Sequence, residues 1–307
     1  MREKKNSRKK NQTVIMMGAI LCFAVSCAVL VLIPAFHLMY PAQKTAETLW
    51  SLAGTLPFLV AVGIGKFAGD KAEEAWLSPK FRENIGEYLK AWVLFGCLIL
   101  LGAGITFLLI PEFMGLAEKE LFARFQAEGI PGDKLRIYMG IFLMVAFFIA
   151  PVARLIPAFL TEYVFRGFFL PRLCRQFGQL RGVVAGSFVW AIWWIPFSLI
   201  SAYGGSTGGN LDGSLGGSLG GSLVGSLVIR IVVGFLCHFA EGIILSVITL
   251  RAGTIWPAVL CSSTIQYLTM LPEPDLYGLV GGLPMVLMAI YSLWSLSTTK
   301  QILDKEI

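Results

Sequence analysis

Polar residues are confined to a few short stretches of this chain, and between them run apolar segments long enough to cross a bilayer. A helix needs about 20 residues to traverse the roughly 30 Å hydrocarbon core. Reading the pattern at that length predicts eight spans, near 13–36, 46–66, 90–111, 137–160, 182–203, 224–249, 254–271 and 276–297. Only helices satisfy every backbone polar group within one segment of lipid-embedded chain, apart from closed barrels. The expected fold is therefore all-α, a polytopic helical membrane protein of about eight transmembrane helices. One membrane domain covers 1–307, with N-terminal helices and surface segments in 1–136 and the core in 137–297.

Two stretches are expected not to span. Residues 69–89 alternate charges with Trp76, Leu77, Phe81 and Tyr88, the pattern of a helix lying on the membrane surface. Residues 204–226 repeat Gly-Ser-Leu-Gly units, the composition of a flexible linker. A slippage-expanded loop explains them more simply than a functional tether, since loops tolerate insertion at small cost.

Composition agrees with a membrane protein: 56% of residues are hydrophobic and 14% charged, against about 25% charged in soluble domains. The net charge of +6 matters through its placement. The basic segment Met1–Lys10 is followed at once by an apolar run, which reads as a cytoplasmic anchor and not as a nucleic-acid arm. Counting Lys and Arg over the links puts both termini in the cytoplasm and the protein in the plasma membrane, although the bases of 112–136 oppose that bias. The run Thr13–Phe36 is too long for a cleaved signal peptide and lacks a small-x-small site. Six cysteines form no CxxC pair and read as small buried hydrophobes. The histidines are His37 and His238 alone.

Ionisable residues inside apolar segments mark functional sites by default. Glu162 and Arg166 lie one helical turn apart in Thr161-Glu162-Tyr163-Val164-Phe165-Arg166-Gly167, a spacing that lets carboxylate and guanidinium neutralise each other. Further on come Trp190-Ala191-Ile192-Trp193-Trp194-Ile195-Pro196 and Gly253-Thr254-Ile255-Trp256-Pro257-Ala258-Val259-Leu260-Cys261-Ser262. In this order the three strings resemble the motifs of the CAAX-protease and bacteriocin-processing family (CPBP, or Abi) of intramembrane endopeptidases. The resemblance covers about residues 150 to 270 and implies a helical bundle around a cleft.

In that family the first motif reads Glu-Glu-x-x-x-Arg, and its first Glu works with the His of the second motif to activate a water. The third motif supplies His and Asn to stabilise the oxyanion. Such chemistry needs a base beside a neutral imidazole and donors facing the developing charge. Carried over, the motif positions are Thr161, Glu162 and Arg166, then Trp194, then Ser262 and Gln266. A one-residue shift would make the last two Cys261 and Ile265. A threonine hydroxyl is not basic near neutral pH, and an indole N–H donates but cannot accept a proton or bind a metal. Ser262 and Gln266 can still donate.

The expectation is a family member that has lost its proteolytic machinery and binds a peptide or partner, in bacteriocin handling, immunity or membrane-protein regulation. The alternative is an endopeptidase working through Glu162, His238 and Glu241. His238 and Glu241 are i, i+3 on the sixth span and with Glu162 supply an imidazole and two carboxylates, on paper a general base or a weak metal site. A local hydrogen-bonded pair that makes both groups tolerable in lipid explains them more simply. No cofactor and no metal is expected. The partners are the lipid bilayer and a peptide or prenylated or membrane-bound protein, with no nucleic acid.

The remaining polar and aromatic residues read as structural. Glu162 and Arg166 form a buried pair fixing the cleft floor. Arg154, after Pro151, faces a wet cleft or snorkels, and Arg230 snorkels. Trp190, Trp193 and Trp256 pack or sit in the interfacial belt. Trp194 projects inward, fills the catalytic volume and gives its N–H to Glu162 or Thr161.

Overall fold

A computed structural model describes residues 13–25, 27–28, 43–69, 75–109, 126, 129, 131, 134–207, 223–268 and 282–298. Among the described residues the chain is helical, without a strand. The helices are α1 (Thr13–Val25), α2 (Gln43–Ala68), α3 (Ile85–Leu109), α4 (Leu135–Ala153) and α5 (Leu155–Glu162). A π-helical segment, Tyr163–Phe169, then leads into α6 (Leu170–Phe177), α7 (Gln179–Thr207), α8 (Leu223–Ala252), α9 (Trp256–Leu268) and α10 (Leu283–Thr298). Among them, Ile85–Gly102 and Ile231–Ala252 are each long and apolar enough to cross a membrane, and a bent pair, Phe147–Ala153 with Leu155–Phe177, has the length and composition of a broken span or a re-entrant loop. The protein is a helical membrane bundle; the other expected spans stand on the sequence pattern.

The fourth expected span, 137–160, does not run through. It breaks at Arg154 and turns by 54°. Pro157 has no N–H to give, and its ring excludes the carbonyl four residues earlier. Arg154 therefore adopts φ −117° and ψ 26°. In a bilayer the freed backbone groups need new partners, and buried Ser263 supplies them. Its hydroxyl accepts from the Arg154 N–H at 3.0 Å and donates to the Ala150 carbonyl at 2.8 Å. Ser263→Ala should cost about 1–3 kcal/mol by stranding a buried donor. A thermal melt of the purified variant reads this as a lower midpoint, and an unchanged midpoint would show that the hydroxyl does not hold the break.

Beyond the break lies a second difference. The expected spans left Thr161–Arg181 as a cytoplasmic link, yet Thr161–Cys174 is helical and almost wholly buried. Arg172, one of the bases in that expected link, is 5% exposed. Its guanidinium donates to the Phe168 carbonyl at 2.8 Å and lies 4.1 Å from the Phe168 ring centroid. Aromatic packing and a backbone carbonyl make the buried charge tolerable.

Glycines set how closely the core helices approach. At Gly182 a Cβ would lie 2.7 Å from the Cys174 backbone nitrogen, so α7 rests directly on α6. At Gly242 it would lie 3.0 Å from the Ser187 Cα, so α8 rests on α7. Small residues at such crossings are the usual means of close helix packing in membranes. α9 is only 13 residues long and packs against α3, α4, α5 and α8, which places the third motif at the centre of the bundle.

The surface helix expected over 69–89 is not formed over 76–84, and residues 85–89 begin α3. Residues 77–80 are irregular, and Trp76 and Lys80 take φ of 52° and 43°. The strip clamps onto the α8–α9 turn. The Trp76 carbonyl accepts from the Ile255 N–H at 3.1 Å and the Thr254 hydroxyl at 3.2 Å. The Leu77 carbonyl accepts from Trp256 Nε1 at 2.7 Å, and Asn84 Nδ2 donates to the Ala252 carbonyl at 2.9 Å. Trp76 and Leu77 pack against buried Ile255 and Val259, which gives them a protein environment in place of lipid. The helices also reach into both ends of the Gly/Ser/Leu stretch, since α7 runs to Thr207 and α8 starts at Leu223. Residues 208–222 lie outside the described residues, as do 269–281.

Candidate functional site

The first motif straddles a change of helix type. Thr161 and Glu162 close α5, and Arg166 lies in the π segment, where the Leu170 N–H bonds to the Phe165 carbonyl. Single π turns inside helices occur frequently at functional sites. The Glu162–Arg166 pair is formed, with Nη1 3.3 Å from Oε1 and Nε 3.2 Å from Oε2. The two side chains are 0% and 1% exposed respectively. The Nε–Oε2 approach lacks hydrogen-bond alignment, so Oε2 accepts no hydrogen bond. Arg166 also donates from Nη2 to the Gly242 carbonyl at 3.4 Å, and its guanidinium carbon lies 4.4 Å from the Trp190 ring centroid.

The second motif supplies the aromatic wall. Trp190 and Trp193 pack on Phe165 with ring centroids 4.7 and 5.3 Å away. Trp194 turns into the bundle and joins this cluster. Its N–H donates to neither Glu162 nor Thr161, contrary to the expectation above. The ring instead stacks on His238, with centroids 4.7 Å apart and planes inclined by 9°. The close approach of α7 and α8 at Gly242 brings that imidazole within reach. His238 Nδ1 is 3.0 Å from Glu241 Oε2. The His238 side chain is 25% exposed and that of Glu241 5%. Glu241 lies within electrostatic range of both Glu162 and Arg166. Two carboxylates, one guanidinium and one imidazole from two regions of sequence thus converge.

The third motif closes the cluster from α9. Gln266 Nε2 donates to the Ser262 hydroxyl at 3.3 Å and to the Thr161 hydroxyl at 3.5 Å. Thr161 turns its own hydrogen back onto its helix, 3.0 Å from the Ala158 carbonyl and 3.2 Å from that of Pro157. Ser262 is buried and lies beside the Glu162 carboxylate. In the shifted register, Cys261 turns its thiol to the Ala91 carbonyl at 3.3 Å, and Ile265 is buried in the main core. Gln266 is the residue whose side chain joins Ser262 to Thr161. Among the described residues no group of three His, Cys, Asp or Glu side chains gathers as a metal-binding set.

Sequence reasoning missed three parts of this site: the Trp190 face under Arg166, the Gly242 carbonyl, and the Ala75–Asn84 strip. Gly242 carried a legible signal, since a glycine inside a helical pattern costs stability and usually has a packing reason. Comparison with protein families gives one match, to the family described as Type II CAAX prenyl endopeptidase Rce1-like, over residues 141–268. All three motifs, with His238 and Glu241, fall inside it. Comparison with curated proteins and with solved structures gave no match.

Proposed function

We propose, for a chain whose residues 141–268 match the Rce1-like family of type II CAAX prenyl endopeptidases, a membrane protein that holds a peptide in the family cleft without hydrolysing it. The observation that carries this reading is Trp194, which stands at the family's imidazole position and stacks its ring on His238. An indole cannot take a proton from water, and Thr161 brings no base to its side. The oxyanion side is spent as well, since the Gln266 amide donates to Ser262 and Thr161. Bacteriocin handling, immunity or regulation of another membrane protein suits a binder of this kind. A plasma-membrane location with both termini cytoplasmic belongs to the same proposal.

One observation favours a second reading. His238, bound through Nδ1 to Glu241 at 3.0 Å, has the carboxylate–imidazole arrangement of a general base. The Gln266 amide at the motif's oxyanion position is already engaged by Ser262 and Thr161, and on that ground the binding reading is preferred. Crosslinking tests it. A photoreactive benzoylphenylalanine replacing Phe239, next to His238, should capture in native membranes a peptide or protein whose C-terminus is intact. Recovery only of adducts truncated at a CAAX-type C-terminus would overturn the non-hydrolytic reading.

A further inference from the structure

Arg154 is a cation that no described part of the protein neutralises. It stands between two apolar helices, at the break that joins α4 to α5. Its backbone is pinned on both sides: the N–H donates to the Ser263 hydroxyl at 3.0 Å, and the carbonyl accepts from the Ala158 N–H at 2.9 Å. The residue is only partly exposed. Its Nε is buried and donates no hydrogen bond, and among the described residues no carboxylate pairs with the guanidinium. An arginine cannot shed its charge. Among apolar segments that charge needs a counter-ion or a water-filled cleft.

The surroundings decide which counter-ion can reach it. Val152 and Ile156, on either side of the break, are 59% and 74% exposed, and Phe148 and Ile149, one turn earlier, are exposed too. In a membrane bundle such side chains face acyl chains, so the guanidinium opens towards lipid. Lipid supplies one anion in quantity, the phosphodiester of a phospholipid headgroup. A guanidinium meets phosphate oxygens with two parallel N–H donors, and basic positions beside membrane helices hold such headgroups. We propose that Arg154 and the apolar residues beside it form a phospholipid-binding site. The guanidinium takes the headgroup phosphate, and Val152 and Ile156 lie along an acyl chain. A lipid held there rests on the first turn of α5, the helix that ends in Thr161 and Glu162.

The test uses the full chain in detergent, with photoreactive benzoylphenylalanine replacing Ile156 and dioleoylphosphatidylglycerol as probe. Dioleoylglycerol, which has the same acyl chains and no phosphate, is its counterpart. Irradiation should give a phosphatidylglycerol adduct that saturates with added lipid and exceeds the dioleoylglycerol adduct about tenfold. Arg154→Gln should lower that adduct by about tenfold, while Arg154→Lys, which keeps the charge without the fork, should retain part of it. Arg82→Gln, at an exposed arginine of the 76–84 strip, should leave it unchanged. Equal adducts from the two lipids overturn the site, and so does an adduct that survives Arg154→Gln. Equal losses in Arg154→Gln and Arg82→Gln also overturn it, since they show attraction to positive charge in general. Where Arg154→Gln does not fold, the comparison of the two lipids on the protein that keeps Arg154 decides. Competitors identify the source of the anion. Inorganic phosphate should displace the lipid only in large excess, and displacement at equal concentration overturns the lipid as occupant. Displacement by a Leu/Ala peptide with a free C-terminal carboxylate, but not by its amide, gives the arginine to a bound peptide and overturns the lipid site.

Discussion

Glu162→Gln is expected to destabilise the protein by about 3–5 kcal/mol, and Arg166→Met by at least as much. Each removes one member of an ion pair that is almost wholly buried, and the charge left behind has no water to turn to. Arg166→Met also gives up the Gly242 carbonyl and the cation–π contact with Trp190. The double variant should cost well under the sum of the singles, because it leaves no unpaired charge on either helix. Unfolding of the four proteins in mixed micelles measures the coupling directly. Additive singles would mean that the pair, although in contact, does not hold the cleft floor.

Gly182→Ala should cost about 3 kcal/mol or more, large for the addition of one methyl group. The new Cβ would fall 2.7 and 2.8 Å from the Cys174 nitrogen and Cα. Backbone atoms cannot rotate aside, so α6 and α7 would have to separate. Gly186→Ala, one turn on, is the control. There the nearest heavy atom is a Leu173 methyl at 3.5 Å, an ordinary contact, and alanine is the better helix former by about 1 kcal/mol. The second variant should be neutral or slightly stabilising. Equal loss in both would show that the close approach at Gly182 is not what joins the helices.

The three motifs and their order were legible in the sequence because each carries unusual residues at fixed spacing. Glu162 and Arg166 stood out as charges in an apolar run, and the structure brings them together. The span pattern was less reliable around residue 160. Hydropathy sees Phe159 and Phe165 as similar surroundings and cannot see that Pro157 breaks the helix, or that Ser263, far along the chain, repairs the break. Arg172 looked like a loop base because contacts to a carbonyl and a ring, here those of Phe168, leave no mark in a sequence pattern. The 69–89 stretch has the composition of a surface helix, yet its described part is held by carbonyl bonds to the α8–α9 turn that no periodicity encodes. Trp194 was legible as part of the second motif string. Its stacking on His238 was not, because it depends on the distance between α7 and α8.

Whether this cleft hydrolyses peptides is decided by one assay. The purified protein is incubated with a farnesylated CAAX peptide, and release of the C-terminal tripeptide is followed by mass spectrometry. If, as proposed, Thr161, Trp194 and Ser262 stand at the water-activating and oxyanion positions, release should be no faster than in protein-free detergent. Release above that blank, abolished by His238→Ala in a folded protein, would contradict the loss of catalysis and assign hydrolysis to the His238–Glu241 pair.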